Sequence, residues 1–318
     1  MRRIAAIDCG TNSLRLLVSD VSEGEIRQVT RTMEIIRLGE GVDETGRINP
    51  AAIERARTVL EKYVDHMIRE NVRAVRMVAT SASRDAENRD EFFDMTEKVL
   101  SKVQPGARAE VIDGTEEAKL SFIGAVKDLP PTEEPILVID LGGGSTEFIV
   151  GKQNGEILGA YSTRMGCVRL TERFLHTQPP TADEIDAARA YVRSELAKVE
   201  QTVPVDKATA YVGCAGTFTT LSAIAQGLEE YDEQVIHMST LRTQGLKLVT
   251  QDLLEKTGAQ RGMLPVMHQG RADVIGGGCI VVEEIVDFMH RLAGLDKITI
   301  SEHDILDGIV AGLAKQMQ

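Results

Sequence analysis

The chain has 318 residues, 42% of them hydrophobic and 27% charged, with a formal net charge of −13. That length supports two domains with cores of their own, and the composition is that of a globular protein rather than a disordered or fibrous one. The acidic balance excludes a general nucleic-acid binder, and no apolar run reaches the ~20 residues of a membrane span, so neither nucleic acid nor a membrane is an expected partner.

Residues 4–8 form an apolar strand that stops at Asp8, too early for a signal peptide, and enters the turn Cys9-Gly10-Thr11-Asn12-Ser13. Residues 14–20 and 24–29 read as a hairpin turning near Ser22 to Gly24, with a separate strand over 33–38. Asn49-Pro50 supplies an N-cap and first-turn proline for a helix with Ile53, Leu60, Val64 and Met67 on one face. A strand over 72–79 leads to a polar turn at 80–85, followed by a helix around 90–103, a strand at 109–112 and a helix opening at Gly114. The Pro/Glu-rich stretch Leu129 to Pro135 reads as a linker dividing the chain into domains 1–124 and 125–318, with the last helix able to pack back on the first.

The second half repeats the pattern. Strands are expected at 136–140, 146–151 and 156–162, then a helix opening on the capping box Thr181-Ala182-Asp183-Glu184. A strand over 208–212 runs into Gly213-Cys214-Ala215-Gly216-Thr217. Helices near 218–227, 241–256 and 275–293 precede a strand at 298–300 and a final helix from Ser301, with Asp304 in capping position. Strands alternating with helices imply a three-layer α/β architecture. Cys9, Cys167, Cys214 and Cys279 lie far apart with no Cys-x-x-Cys pair, which reads as reduced thiols in a cytoplasmic protein.

Two segments are nearly alike: Ile4 to Ser13, and Ile136-Leu137-Val138-Ile139-Asp140-Leu141-Gly142-Gly143-Gly144-Ser145-Thr146-Glu147. A buried strand ending in glycine and hydroxyl residues exposes a row of backbone N–H groups, which suits an oligophosphate. The Asp at each strand end can hold Mg²⁺, directly or through water. Two copies point to related domains facing each other across a phosphate-binding cleft. With a net charge of −13, attraction for a polyanion must come from local Arg and Lys, Mg²⁺ and amides within a Debye length of ~8 Å. There is no P-loop, and Glu147 stands where a nucleophile elbow needs glycine, so Ser145 is a poor nucleophile. The six His are scattered with no His-Glu-x-x-His, so no zinc site is expected.

Five segments in order carry a family resemblance: Asp8 to Ser13, Ala79-Thr80-Ser81-Ala82-Ser83-Arg84-Asp85-Ala86, Ile112-Asp113-Gly114-Thr115-Glu116-Glu117-Ala118, Asp140 to Glu147, and Met165-Gly166-Cys167-Val168-Arg169-Leu170. Together they resemble the Ppx/GppA family of exopolyphosphatases and guanosine pentaphosphate phosphohydrolases, from Ile4 to about Gly312. The resemblance implies two ribonuclease-H-like domains of the actin/Hsp70/sugar-kinase superfamily facing an interdomain cleft. It implies Mg²⁺-dependent release of terminal orthophosphate from polyphosphate. The alternatives are 5′-phosphate removal from guanosine pentaphosphate in the stringent response, or a non-catalytic guanosine tetra- or pentaphosphate sensor. A sugar or acetate kinase is a further reading, disfavoured by the Glu-Glu-Ala segment. Few aromatic residues (4%) for base stacking favour an inorganic chain over a nucleotide. A homodimer is expected.

By the same resemblance Glu117 is the base that activates water, while Glu116 reads as a helix N-terminal acid. Asp8, Asp140 and Glu147 are the expected Mg²⁺ ligands. Gly10, Thr11, Asn12 and Ser13, with Gly142, Gly143, Gly144 and Ser145, would donate to phosphate oxygens; a purely structural turn is the plain alternative. Arg84 resembles the family's phosphate-contacting Arg; Arg169 and Arg271 are weaker candidates. Gly213, Gly216 and Thr217 resemble the superfamily's adenosine-side turn, or simply start a helix. Thr11 stands where the family usually has Ser. Asp304-Ile305-Leu306-Asp307-Gly308 stands where longer members read Gly-Leu-Arg-Glu-Gly, which removes a cation and leaves a more acidic helix. With the sequence ending at Gln318, a short form without the C-terminal helical extension is expected, weakly processive and favouring shorter chains.

Overall fold

The computed structural model describes residues 2–22 and 25–316. Its apolar run Ile4–Ile7 is the middle of a sheet, as expected of a strand covered on both faces. β1 (Arg2–Cys9) lies between antiparallel β2 (Ser13–Ser22) and parallel β4 (Ala74–Ala79), with β3 (Glu25–Ile35) beyond β2 and β5 (Ala109–Val111) beyond β4. In the second sheet β6 (Ile136–Leu141) lies between antiparallel β7 (Thr146–Gly151) and parallel β9 (Ala210–Cys214). β8 (Ile157–Thr163) follows β7, β11 (Lys297–Ser301) follows β9, and β10 (Ser239–Arg242) is an antiparallel edge. Apart from β10, both sheets have one order: third, second, first, fourth, fifth. The duplication seen at two glycine turns thus extends to whole sheets.

The helices are α1 (Val42–Thr45), α2 (Pro50–Arg69), α3 (Ser81–Asp85), α4 (Arg89–Leu100) and α5 (Gly114–Val126), then α6 (Cys167–Phe174), α7 (Ala182–Thr202), α8 (Ala215–Ala225) and α9 (Glu233–Ile236). They end with α10 (Thr243–Leu254), α11 (Gly258–Arg261), α12 (Ile275–Ala293) and α13 (Ile305–Gln316). Among the described residues no helix is long and apolar enough to cross a membrane.

Two compact units result: residues up to Leu120 with those from Ile305, and Ser121–Asp304. In the first unit, side chains of β1 alternate between two apolar layers. Ala5 and Ile7 join Ile53, Leu60, Val64 and Met67 of α2 and Phe92 and Val99 of α4. Ile4 and Ala6 join Ile305, Leu306, Ile309 and Val310 of α13. Gly308 permits that docking, since a Cβ there would lie 2.1 Å from the Leu120 carbonyl oxygen. In the second unit Leu137, Ile139, Phe148 and Val150 pack against α7, α8, α10 and α12.

Several elements differ from their sequence reading. The strand expected over 33–38 is the end of a continuous β3 that stops at Ile35; its half-exposed edge residues lack the alternation that would have marked it as one strand. The turn expected at Ser22 to Gly24 falls partly at residues 23–24, outside the described residues. Residues 81–85 form the short helix α3 rather than a turn. α6 and the four-residue edge strand β10 are too short for periodicity to mark. Ser301 ends β11, and the last helix begins at Ile305.

Candidate active site

The two glycine turns are built the same way. Gly10 N–H donates to the Ser13 carbonyl at 3.0 Å, and Gly142 N–H to the Ser145 carbonyl, also at 3.0 Å. In each, two or more of the turn's carbonyls are held by a later segment. The Thr11 carbonyl accepts from Gly39 N–H (2.8 Å), and that of Asn12 from Ile36 and Arg37 (3.0 and 2.9 Å). The Gly142 carbonyl accepts from Cys167 N–H (3.0 Å), and that of Gly143 from Val168 and Arg169 N–H (2.9 and 3.1 Å). Arg169, a buried side chain, donates from Nε to the Gly144 carbonyl at 2.8 Å. Carbonyls bound on one side turn the peptide N–H groups toward the other, the arrangement of an anion-binding nest. Arg169 therefore braces the turn through its Nε. Close approach demands small residues here: a Cβ on Gly39 would lie 2.3 Å from Thr11 Cγ2, and one on Gly166 2.4 Å from the Gly143 carbonyl oxygen.

Each strand-end Asp faces a partner at the same register. Asp8 pairs with Arg15 across β1 and β2, and Asp140 with Glu147 across β6 and β7. Arg15 donates to Asp8 Oδ2 from Nε at 3.0 Å and Nη2 at 2.7 Å. Asp140 and Glu147 are both buried, and paired residues of an antiparallel ladder point to one face. Ser121 Oγ donates to Asp140 Oδ2 at 2.5 Å, and Ser162 Oγ to Glu147 Oε1 at 2.7 Å. The second turn thus carries two oriented carboxylates where the first carries a carboxylate and a cation. An all-oxygen set of this kind fits a hard divalent ion.

Glu117 lies buried in the first turn of α5, which Asp113 caps by accepting from Thr115 and Glu116 N–H at 2.9 and 2.8 Å. Glu117 Oε2 accepts from Arg84 Nη1 at 3.0 Å, and the same nitrogen donates to the Ile112 carbonyl at 3.0 Å. Glu116 is paired with Arg76 instead, at 2.7 Å. The Thr11 and Ser83 hydroxyls are buried with no hydrogen-bond partner among the described residues. Both lie in the segments that carry the family resemblance, yet Ser83 was not singled out; its place beside Arg84 was the available signal.

The sequence pattern of the Ppx/GppA phosphatase family matches residues 17–316. The chain belongs to that family. It is 52% identical to Exopolyphosphatase 2 of Mycobacterium tuberculosis (strain ATCC 25618 / H37Rv) over 99% of both chains. The crystal structure of an exopolyphosphatase-like protein superposes with a TM-score of 0.93 at 38% identity, covering 99% of this chain and 100% of that one. An exopolyphosphatase from Cytophaga hutchinsonii superposes at 0.89 and 28% identity, covering 99% and 98%.

Other residues of the family reading have structural duties. Gly213 lies within β9, where a Cβ would come 2.8 Å from the Phe218 ring, so core packing requires its small size. Gly216 and Thr217 form the first turn of α8, entered through Ala215 at φ 67°. The Arg271 guanidinium lies over Gly216 and donates to Thr220 Oγ1 at 2.7 Å. Asp307, the acidic departure near the C-terminus, forms a nearly buried ion pair with Arg31 of β3 at 2.7 Å. Its charge is thus compensated locally.

Proposed function

We propose that this chain is an exopolyphosphatase that releases terminal orthophosphate from inorganic polyphosphate with the help of Mg²⁺. The observation that carries the reading is the pair of glycine turns whose carbonyls are tied back by later segments, a geometry that sets the N–H of each following peptide on the opposite side. Thr11, Asn12 and Ser13, with Gly143, Gly144 and Ser145, bind phosphate oxygens, joined by the buried Thr11 hydroxyl, while Gly10 and Gly142 close the turns with their own N–H groups. Asp140 and Glu147, oriented by Ser121 and Ser162, hold Mg²⁺. The ion, when bound, neutralises charge that builds on the transferring phosphoryl group. Asp8, neutralised by Arg15, takes second place as a ligand. Glu117 orients a water and takes its proton as the water oxygen bonds to the terminal phosphorus and the bridging P–O bond breaks. Arg84 fixes the Glu117 carboxylate and keeps its remaining guanidinium donors toward phosphate. The names borne by the Mycobacterium and Cytophaga relatives support the same reaction.

The test is orthophosphate release from polyphosphate and from guanosine pentaphosphate at equal concentration, with Mg²⁺ and with EDTA. Polyphosphate should be the faster substrate, with activity lost in EDTA. Faster release from the nucleotide, or equal rates in EDTA, would overturn the substrate or the metal assignment respectively.

A further inference from the structure

We propose that Asp128, His237 and His303 form a binding site for a first-row transition-metal dication, Zn²⁺ foremost, distinct from the all-oxygen Mg²⁺ set. Three elements of the Ser121–Asp304 unit contribute: the segment after α5, the C-cap of α9, and the loop between β11 and α13. His303 Nδ1 lies 2.6 Å from Asp128 Oδ2, and His237 Nε2 lies 3.3 Å from the same oxygen. One ligand atom from each residue falls within 4.8 Å of the others. Ligands around a tetrahedral Zn²⁺ at ~2.0–2.1 Å sit ~3.3 Å apart, so the His237–Asp128 pair already has the spacing and His303–Asp128, at 2.6 Å, needs to open by about 0.7 Å. The Asp128 side chain is 41% exposed, which gives it freedom to move and the ion a path from solvent.

Donor chemistry decides the class of ion. Two imidazoles and one carboxylate suit zinc, cobalt or nickel, whereas Mg²⁺ and Ca²⁺ favour oxygen alone. The rings pack with centroids 4.2 Å apart and turn a nitrogen toward one carboxylate oxygen. Glu302 N–H donates to His237 Nδ1 at 3.2 Å, so in the metal-free protein the neutral ring carries its proton on Nε2, facing Asp128. Zn²⁺ at Nε2 requires the proton on Nδ1, where it would face the Glu302 N–H, so the His237 ring must turn out of that hydrogen bond as the ion binds. A dication then takes the place of the bridging proton between the two nitrogens and the carboxylate.

The proposal does not depend on the polyphosphate reading, and its test needs no turnover. Full-length, chelator-treated protein in excess Mg²⁺ is titrated with Zn²⁺ by calorimetry, and the histidine ring resonances are followed by NMR. The wild type should bind one Zn²⁺ at micromolar concentration, rise in Tm, and show shifts confined to His237 and His303 among the six His. Since losing even an outer-shell partner weakens metal binding ~10–100-fold, His237→Gln and His303→Gln should each weaken it at least about tenfold. No uptake, shifts at His66, His176, His268 or His290 instead, or undiminished uptake by the folded double variant would each overturn the proposal. The NMR readout decides the matter even if the variants fail to fold.

Discussion

The Glu117 carboxylate is held by an arginine that is itself anchored to the Ile112 carbonyl, so its direction is fixed from outside α5. Glu117→Gln keeps shape and hydrogen bonding but removes the proton acceptor, and should lower phosphate release ~10²–10⁴-fold while substrate binding survives. Turnover at the wild-type rate would sink its role as base. Ser121 is a positioning residue of another kind. Its hydroxyl orients Asp140, and outer-shell partners of this sort are worth ~10–100-fold in metal affinity, so Ser121→Ala should raise the Mg²⁺ concentration for half-activity by that factor. Unchanged Mg²⁺ dependence with a lowered maximal rate would place Ser121 elsewhere in the reaction. Glu117 could be singled out from the sequence because it sits in one of the segments that carry the family resemblance. Ser121, Ser162 and Arg15 could not, because their importance lies in what they face across a strand or helix.

The docking of α6 on the second glycine turn depends on Gly166. Its backbone is extended, at φ −155° and ψ 165°, so alanine meets no conformational strain there. It meets the Gly143 carbonyl instead, 2.4 Å from the added carbon. Gly166→Ala should therefore destabilise the protein by about 1–3 kcal/mol in urea unfolding and depress activity further by displacing the turn. Gly312 in α13 is the control: nothing lies within 4 Å, and alanine there should gain about 0.5–1 kcal/mol. Equal effects at both positions would mean that the turn is not held by α6. The strands ending in glycine turns were legible because long apolar runs and turn residues are local signals. The helix α6 and the backbone carbonyls it satisfies were not, because the contact joins residues distant in sequence. The capping box of α7 was legible for the same local reason, and it titrates. Hydrogen bonds from Thr177 Oγ1 and from the Thr181, His176 and Thr177 amides hold the Glu184 carboxyl down at about 2, from 4.5. A carboxyl lowered in the folded state contributes stability above its ordinary value and loses it as pH falls through the folded one. Amide exchange at His176, Thr177 and Thr181 should therefore quicken, relative to intrinsic rates, between pH 4.5 and 2. In Glu184→Gln that dependence should be absent, and its persistence would assign the effect to another group.

The four thiols report on the molecule as two bodies. All four are buried, and burial pushes the thiols of Cys9, Cys167 and Cys279 upward, so little thiolate is available to an aromatic disulfide reagent at neutral pH. Native protein should react slowly and denatured protein should release four equivalents. The kinetics carry more information than the count. Cys9 lies in the unit that ends at Leu120 and resumes at Ile305, whereas Cys167, Cys214 and Cys279 lie in Ser121–Asp304. The apolar clusters follow the same division: one unit surrounds β1 with α2, α4 and α13, the other packs β6 and β7 against α7, α8, α10 and α12. A cooperative opening exposes a core as a whole, so thiols sharing a core become reactive together. In mild denaturant, labelling should resolve into two phases with amplitudes in the ratio one to three. Mass spectrometry of the labelled peptides should place Cys9 alone in one of them. If all four thiols react at a single rate under conditions where opening limits labelling, the two cores open as one unit. Separate phases among Cys167, Cys214 and Cys279 would instead divide the second unit into smaller cooperative pieces.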